Sequence, residues 1–152
     1  MSNKVLFLGV TNHCASRFAE IMFNHIASEQ LLNCFSVSRG VMTKAHREPI
    51  DPRTVSALTV RGVPLSERLR TPRTLRAIDL EASDYIVLIS GAELSHRVER
   101  TDKLEGKQLI AWDFSNVSSL SPSQLFPALE AEVYLLVRRL QQDQLAVSNL
   151  SA

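Results

Sequence analysis

Eight consecutive positions, Gly9, Val10, Thr11, Asn12, His13, Cys14, Ala15 and Ser16, bring one thiol, one imidazole, one carboxamide and two hydroxyls into a single short segment. They follow Lys4 to Leu8, a mostly apolar run of strand length, and precede Ala19, Met22, Phe23 and Ile26, which fall at helical spacing. The spacing predicts a strand, a tight loop and a helix. In that arrangement the loop N–H groups and the helix N-terminus, with about half a positive charge, face whatever lies above the strand end. The chemistry favoured there is anion binding. Metal chemistry is not expected: the only cysteines, Cys14 and Cys34, lack ligand spacing, and no cofactor motif accompanies them.

The rest of the chain must hold this loop in place, and it alternates. Cys34 to Ser38 reads as a second strand ended by Arg39 and Gly40. After a loop carrying Lys44, His46 and Arg47, Asp51-Pro52 gives an N-cap and a first-turn proline. Val55 and Leu58 then form a short amphipathic helix that breaks at Gly62 and Pro64. Thr71-Pro72 starts another helix through Leu75 and Ile78. Tyr85 to Ile89 is an unbroken apolar strand suited to a central position covered on both faces. Ser90 and Glu93 have capping-box spacing for a helix to about Arg100, and Gln108 to Trp112 is a fourth strand. Ser121, Pro122 and Gln124 open the best-patterned helix, with Leu125, Leu129, Val133, Leu136, Val137 and Leu140 at three- and four-residue steps. Residues from about Val147 are expected to fray.

This pattern predicts one α/β domain over 1–152, in three layers: a four-stranded parallel sheet flanked by about five helices. The length of 152 residues and the 45% hydrophobic content suit one core. Net charge of +1 gives no general bias toward nucleic acid or membrane. No stretch approaches the roughly 20 apolar residues of a membrane span, and a cytoplasmic protein with reduced thiols is expected. Ligands of such folds bind beyond the carboxyl ends of the strands. The expected cleft therefore has the 9–16 loop as its floor, with Arg17, Arg39 and Gly40, Ser90 and Gly91, Trp112, and Asp113 to Asn116 as walls. Basic residues crowd the middle of the chain, among them Arg61, Arg68, Arg70, Arg73 and Arg76. Such a run is ordinarily a solvated face; its functional reading is attraction for an acidic partner.

The order of these features resembles the low molecular weight protein-tyrosine phosphatase family and the related thioredoxin-coupled arsenate reductases. Asn12, Cys14, Ser16 and Ala19-Glu20 fall at family positions around the loop. Ser38-Arg39-Gly40 is similar to the turn after the second strand, Asp51-Pro52-Arg53 to the start of the second helix, and Ser83-Asp84 with Tyr85 to Ile89 to the third strand. The resemblance extends from about Lys4 to Leu140. The departures from it fall on the chemistry. Gly9 stands where the family has its nucleophilic cysteine, Ala15 where an arginine clamps the phosphoryl oxygens, and Asn116 where an aspartate protonates the leaving group. Cys14 matches an auxiliary cysteine, and the residue six places beyond it is Glu20 rather than an arginine. Asn12 and Ser16 match residues that hold the loop curled.

The resemblance thus implies a degenerate loop and a pseudophosphatase that binds rather than reacts. Its expected partners are a phosphorylated or otherwise acidic protein, an inorganic anion, or a homologous subunit in an oligomer. His13 and Arg17 are the remaining side chains that could touch a phosphate. The alternative is an enzyme: a phosphatase using Cys14, with Asp113 as substitute acid, or a reductase-like thiol protein using Cys14 and Cys34.

Overall fold

The computed structural model describes residues 3–45, 48–89, 98, 104–114 and 120–151. Its elements are β1 (Asn3–Gly9), α1 (Ala15–Glu29), β2 (Cys34–Gly40), a 3₁₀ turn (Thr43–Ala45), α2 (Pro52–Val60), α3 (Ala77–Glu81), β3 (Tyr85–Ile89), β4 (Gln108–Trp112) and α4 (Pro122–Ser151). The strands form one parallel sheet in the order β2-β1-β3-β4. The chain leaves β1 toward β2 on one side and later returns to β3 on the other. The end of β1 is therefore a topological switch point, where loops diverge and open a crevice.

Local signals decide most boundaries. Asp51 caps α2 by accepting from the Arg53 N–H at 2.8 Å, directly before Pro52. At the start of α4 the Ser121 N–H donates to Gln124 Oε1 at 3.1 Å, half of a capping box. All five β3 residues are buried, as an apolar strand between two helical layers requires. On one sheet face Val5, Phe7 and Val87 pack with Phe18, Met22 and Phe23 of α1 and with Leu125, Leu129 and Val133 of α4. On the other, Leu6, Leu8, Ile86 and Leu88 meet Leu80 and Val98.

Four α-helices lie among the described residues, where about five were expected. The helix predicted from Ser90 to about Arg100 falls outside them except at Val98. α4 runs past Val147, from where fraying was expected, to Ser151, with Leu145, Val147 and Leu150 exposed. Once a helix is nucleated and packed, further turns add a hydrogen bond per residue without needing a buried face.

Candidate functional site

The segment between β1 and α1 is curled around the side chain of Asn12, whose backbone lies in the left-handed region at φ 54°. Asparagine tolerates that region better than most residues. Its amide is fully engaged within the protein. Nδ2 donates to Ser16 Oγ at 3.0 Å and to Ser38 Oγ at 2.8 Å, while Oδ1 accepts from Arg70 Nη1 at 3.0 Å and from the Arg73 N–H at 2.9 Å. One side chain thereby ties the loop to α1, β2 and the segment before α3.

Arg70 completes the lock. Its Nη2 donates to Glu20 Oε1 at 3.0 Å and to Ser38 Oγ at 2.8 Å, and Glu20 Oε1 also accepts from the Ser38 N–H at 2.9 Å. Gly40 permits the close approach of β2. A Cβ built there would stand 2.8 Å from both the Asn12 nitrogen and the Val10 carbonyl oxygen, so any other residue must displace backbone. The outer edge is held by Met42 N–H to Val10 O at 2.7 Å and Asp51 N–H to His13 O at 3.0 Å.

Held this way, the loop keeps its donors available. Among the described residues, no backbone carbonyl accepts from the N–H groups of Val10, Thr11, Asn12 or Cys14. Those of Ala15, Ser16 and Arg17 open α1 and have no intrahelical acceptor by geometry. Successive N–H groups in such a turn at a helix N-terminus form an anion-binding concavity.

The loop itself carries few reactive side chains. Gly9 carries no side chain, and a Cβ added to it would lie 3.3 Å from Ser16 Cβ and Oγ. Cys14 is the one thiol of the loop. Its Sγ lies 3.4 Å from Thr54 Oγ1, and burial pushes the thiol up, with the Thr54 contact opposing and the Asp51 carboxylate adding to the rise. A raised thiol carries less thiolate, the nucleophilic form. Cys34 is pushed up further, to about 12, again chiefly by burial. It pairs with Asn3 at the opposite end of β1 from the loop. Six strand steps separate the two ends, about 20 Å, far beyond the roughly 7 Å limit for a disulfide.

Several expected wall residues stand elsewhere. Trp112 is core rather than wall: it is buried and its ring centroid lies 5.5 Å from that of Phe7. Arg39 is turned to the other sheet face, where its Nε meets Asp79 Oδ2 at 3.2 Å and both side chains are buried. In a strand, neighbours of Ser38 and Gly40 must point away from the loop they support. Burial pushes the Asp79 carboxyl up, but the Arg76 N–H and the Arg39 and Arg76 guanidiniums outweigh it and hold the group below the usual range.

His13 is buried with its Nε2 3.9 Å from Glu48 Oε2, a packing position. Arg17 is buried too, and its Nη1 donates to Pro49 O at 2.9 Å. Asp113 is exposed just past β4. Ser90, Gly91 and Asn116 lie outside the described residues. Sequence reasoning missed Arg70 as a positioning residue. Its contacts lie 32 to 58 residues away, and nothing distinguished it from its basic neighbours.

Among the described residues, no three His, Cys, Asp or Glu side chains gather as metal ligands, and no helix is long and apolar enough to cross a membrane.

Comparison with known proteins agrees with this geometry. The sequence profile of the family described as low molecular weight phosphotyrosine protein phosphatase matches residues 4–119. No curated protein matches the chain in sequence. Among solved structures, the low molecular weight phosphotyrosine phosphatase of Vibrio cholerae O395 superposes with a TM-score of 0.77 at 18% identity, covering 93% of this chain and 99% of that one. The YwlE arginine phosphatase of Geobacillus stearothermophilus gives 0.75 at 19% identity, over 95% and 96%. The thioredoxin-dependent arsenate reductase of Corynebacterium glutamicum gives 0.71 at 21% identity, over 93% of this chain but only 63% of that longer one.

Proposed function

The chain belongs to the low molecular weight phosphotyrosine protein phosphatase family, and from that premise we propose that it is a non-catalytic member whose loop binds an oxyanion without turning it over. The observation that carries this reading is a contrast between the loop's support and its side chains. Asn12, Ser16, Ser38 and Arg70 hold the loop curled, while Gly9 and Ala15 occupy the positions of thiolate and clamp.

Phosphoryl transfer depends on in-line positioning and on neutralising charge at the equatorial oxygens. Without nucleophile and guanidinium the loop retains only the first part of that task. Its N–H donors and the positive end of α1 suit a phosphate dianion. The missing bidentate contact weakens binding of free phosphate. A useful ligand must gain further contacts, as a phosphorylated or acidic protein would. Two reduced thiols fit a cytoplasmic setting.

Titration with inorganic phosphate, followed by amide NMR, tests the reading. Saturable shifts are expected at Val10 to Ser16; their absence at high phosphate would make the loop a structural turn. The alignment has its own test. Gly9→Cys with Ala15→Arg, and Asn116→Asp if needed, is expected to hydrolyse an aryl phosphate, because the new Cβ at Gly9 requires Ser16 to give only a few tenths of an ångström. A folded but inert triple variant would contradict it.

A further inference from the structure

A groove of about 490 Å³ runs beside α1, between that helix and the 63–70 segment. Its wall includes Arg17, Arg68 and Arg70, with Glu20 as the one carboxylate among the lining residues. Glu20 is already committed to Arg70 and to the Ser38 N–H. None of the loop residues Gly9 to Ser16 lines it.

The unusual member is Arg17. Its side chain is almost wholly buried, it forms no ion pair among the described residues, and its Nε has no hydrogen-bond acceptor there. Among the described residues its one hydrogen-bond acceptor is the Pro49 carbonyl, reached through Nη1. A buried guanidinium ordinarily has a carboxylate or an equivalent anion beside it, since desolvating an unpaired charge is costly. Its position makes the deficit greater. Arg17 is the third residue of α1, at the positive end of the helix dipole, where a cation is disfavoured. Glu20 is near enough to act on it electrostatically but is bonded to Arg70, so among the described residues Arg17 has no ion-pair partner of its own, on the wall of a cavity carrying two further arginines.

We propose that this groove is a second oxyanion site, distinct from the loop, in which a carboxylate or phosphate group supplies the counter-ion of Arg17 and is also contacted by Arg68. The volume leaves room for the stem that carries the anion. Arg70 connects the two sites. It lines the groove and also holds Asn12 with Nη1, so an anion that draws on Arg70 alters the support of the loop. The proposal does not depend on the loop binding anything.

Arginine Nε–H signals give the direct test. In the full chain, inorganic phosphate and, separately, acetate are titrated while the Arg17 Nε–H and the amides of Val63 and Leu65 to Arg70 are followed. Saturable movement of Arg17 Nε–H is expected. Response to phosphate alone identifies a tetrahedral ligand, response to acetate alone a carboxylate, and response to both a general oxyanion site. Arg68→Ala, an exposed position that need not disturb folding, is expected to weaken this binding by roughly fivefold. Arg17→Gln is expected to abolish it. An Arg17 Nε–H signal unmoved by either anion at tens of millimolar would overturn the proposal. So would titrations identical in wild type and Arg68→Ala.

Discussion

Replacing Arg70 by leucine tests the claim that the loop is held from behind rather than by its own turn chemistry. The guanidinium donates to Asn12 Oδ1, Glu20 Oε1 and Ser38 Oγ, at 3.0, 3.0 and 2.8 Å, and to the Thr71 and Ser38 carbonyls at 3.0 and 3.2 Å. Leucine removes all five and leaves the Glu20 carboxylate, 13% exposed, with the Ser38 N–H as its remaining hydrogen-bond donor among the described residues. Breaking one side of a fully buried ion pair costs about 3 to 5 kcal/mol. Arg70 retains 23% exposure, and water can reach part of the site, so the expected loss is nearer 2 to 3 kcal/mol. For a chain of this length that lowers Tm by about 5 to 10 °C. Trp112, the single tryptophan, is buried against Phe7 and reports unfolding in urea by its fluorescence. Because Asn12 keeps its bonds to Ser16 and the Arg73 N–H, the fold should survive while the amides of Val10 to Ser16 move. Lysine at this position is expected to recover only part of the loss, since one ammonium cannot reproduce the planar fork. A loss below about 0.5 kcal/mol with unmoved loop amides would refute the reasoning.

Other expectations follow from the same geometry. Gly40→Ala should destabilise the protein by about 1 to 3 kcal/mol and perturb the loop, because the new Cβ meets backbone atoms at 2.8 Å; urea denaturation checks it. Iodoacetamide at pH 8 should alkylate Cys14 and Cys34 more slowly than a free cysteine, since burial raises both thiols; faster reaction at Cys14 would revive a nucleophilic role. Stability should fall on acidification. Arg53 lowers Asp51 chiefly through its side-chain hydrogen bond, and for Asp79 its hydrogen bonds and neighbouring guanidiniums outweigh the upward push of burial. With folded values below the unfolded value of about 3.9, their stabilisation is complete above that pH and is lost as pH falls through the folded values. Asp79→Asn should flatten the curve below about pH 4, as urea midpoints across pH would show.

What the sequence disclosed was what local chemistry controls. Asp51-Pro52, Ser121-Pro122 and the apolar run Tyr85 to Ile89 place their elements because caps, a proline in the first turn and burial on two faces act within a few residues. The curl of the loop was legible through Asn12 and Ser16 because both match family positions. The part that escaped depends on contacts between distant segments. Arg70 looked like its basic neighbours until the fold placed it behind Asn12. Trp112 and Arg39 lie near the right strand ends, but the pleat turns one into the core and the other to the opposite face. Arg17 was placed near the loop by sequence, and the groove it lines is formed only when the 63–70 segment packs beside α1.

The central claim is that a phosphatase loop has been kept as a binding shape without its chemistry. Aryl phosphate turnover by the wild-type chain, measured beside Cys14→Ser, tests it most directly. The account predicts no turnover above the uncatalysed background in either protein. Turnover by wild type that disappears in Cys14→Ser would contradict it.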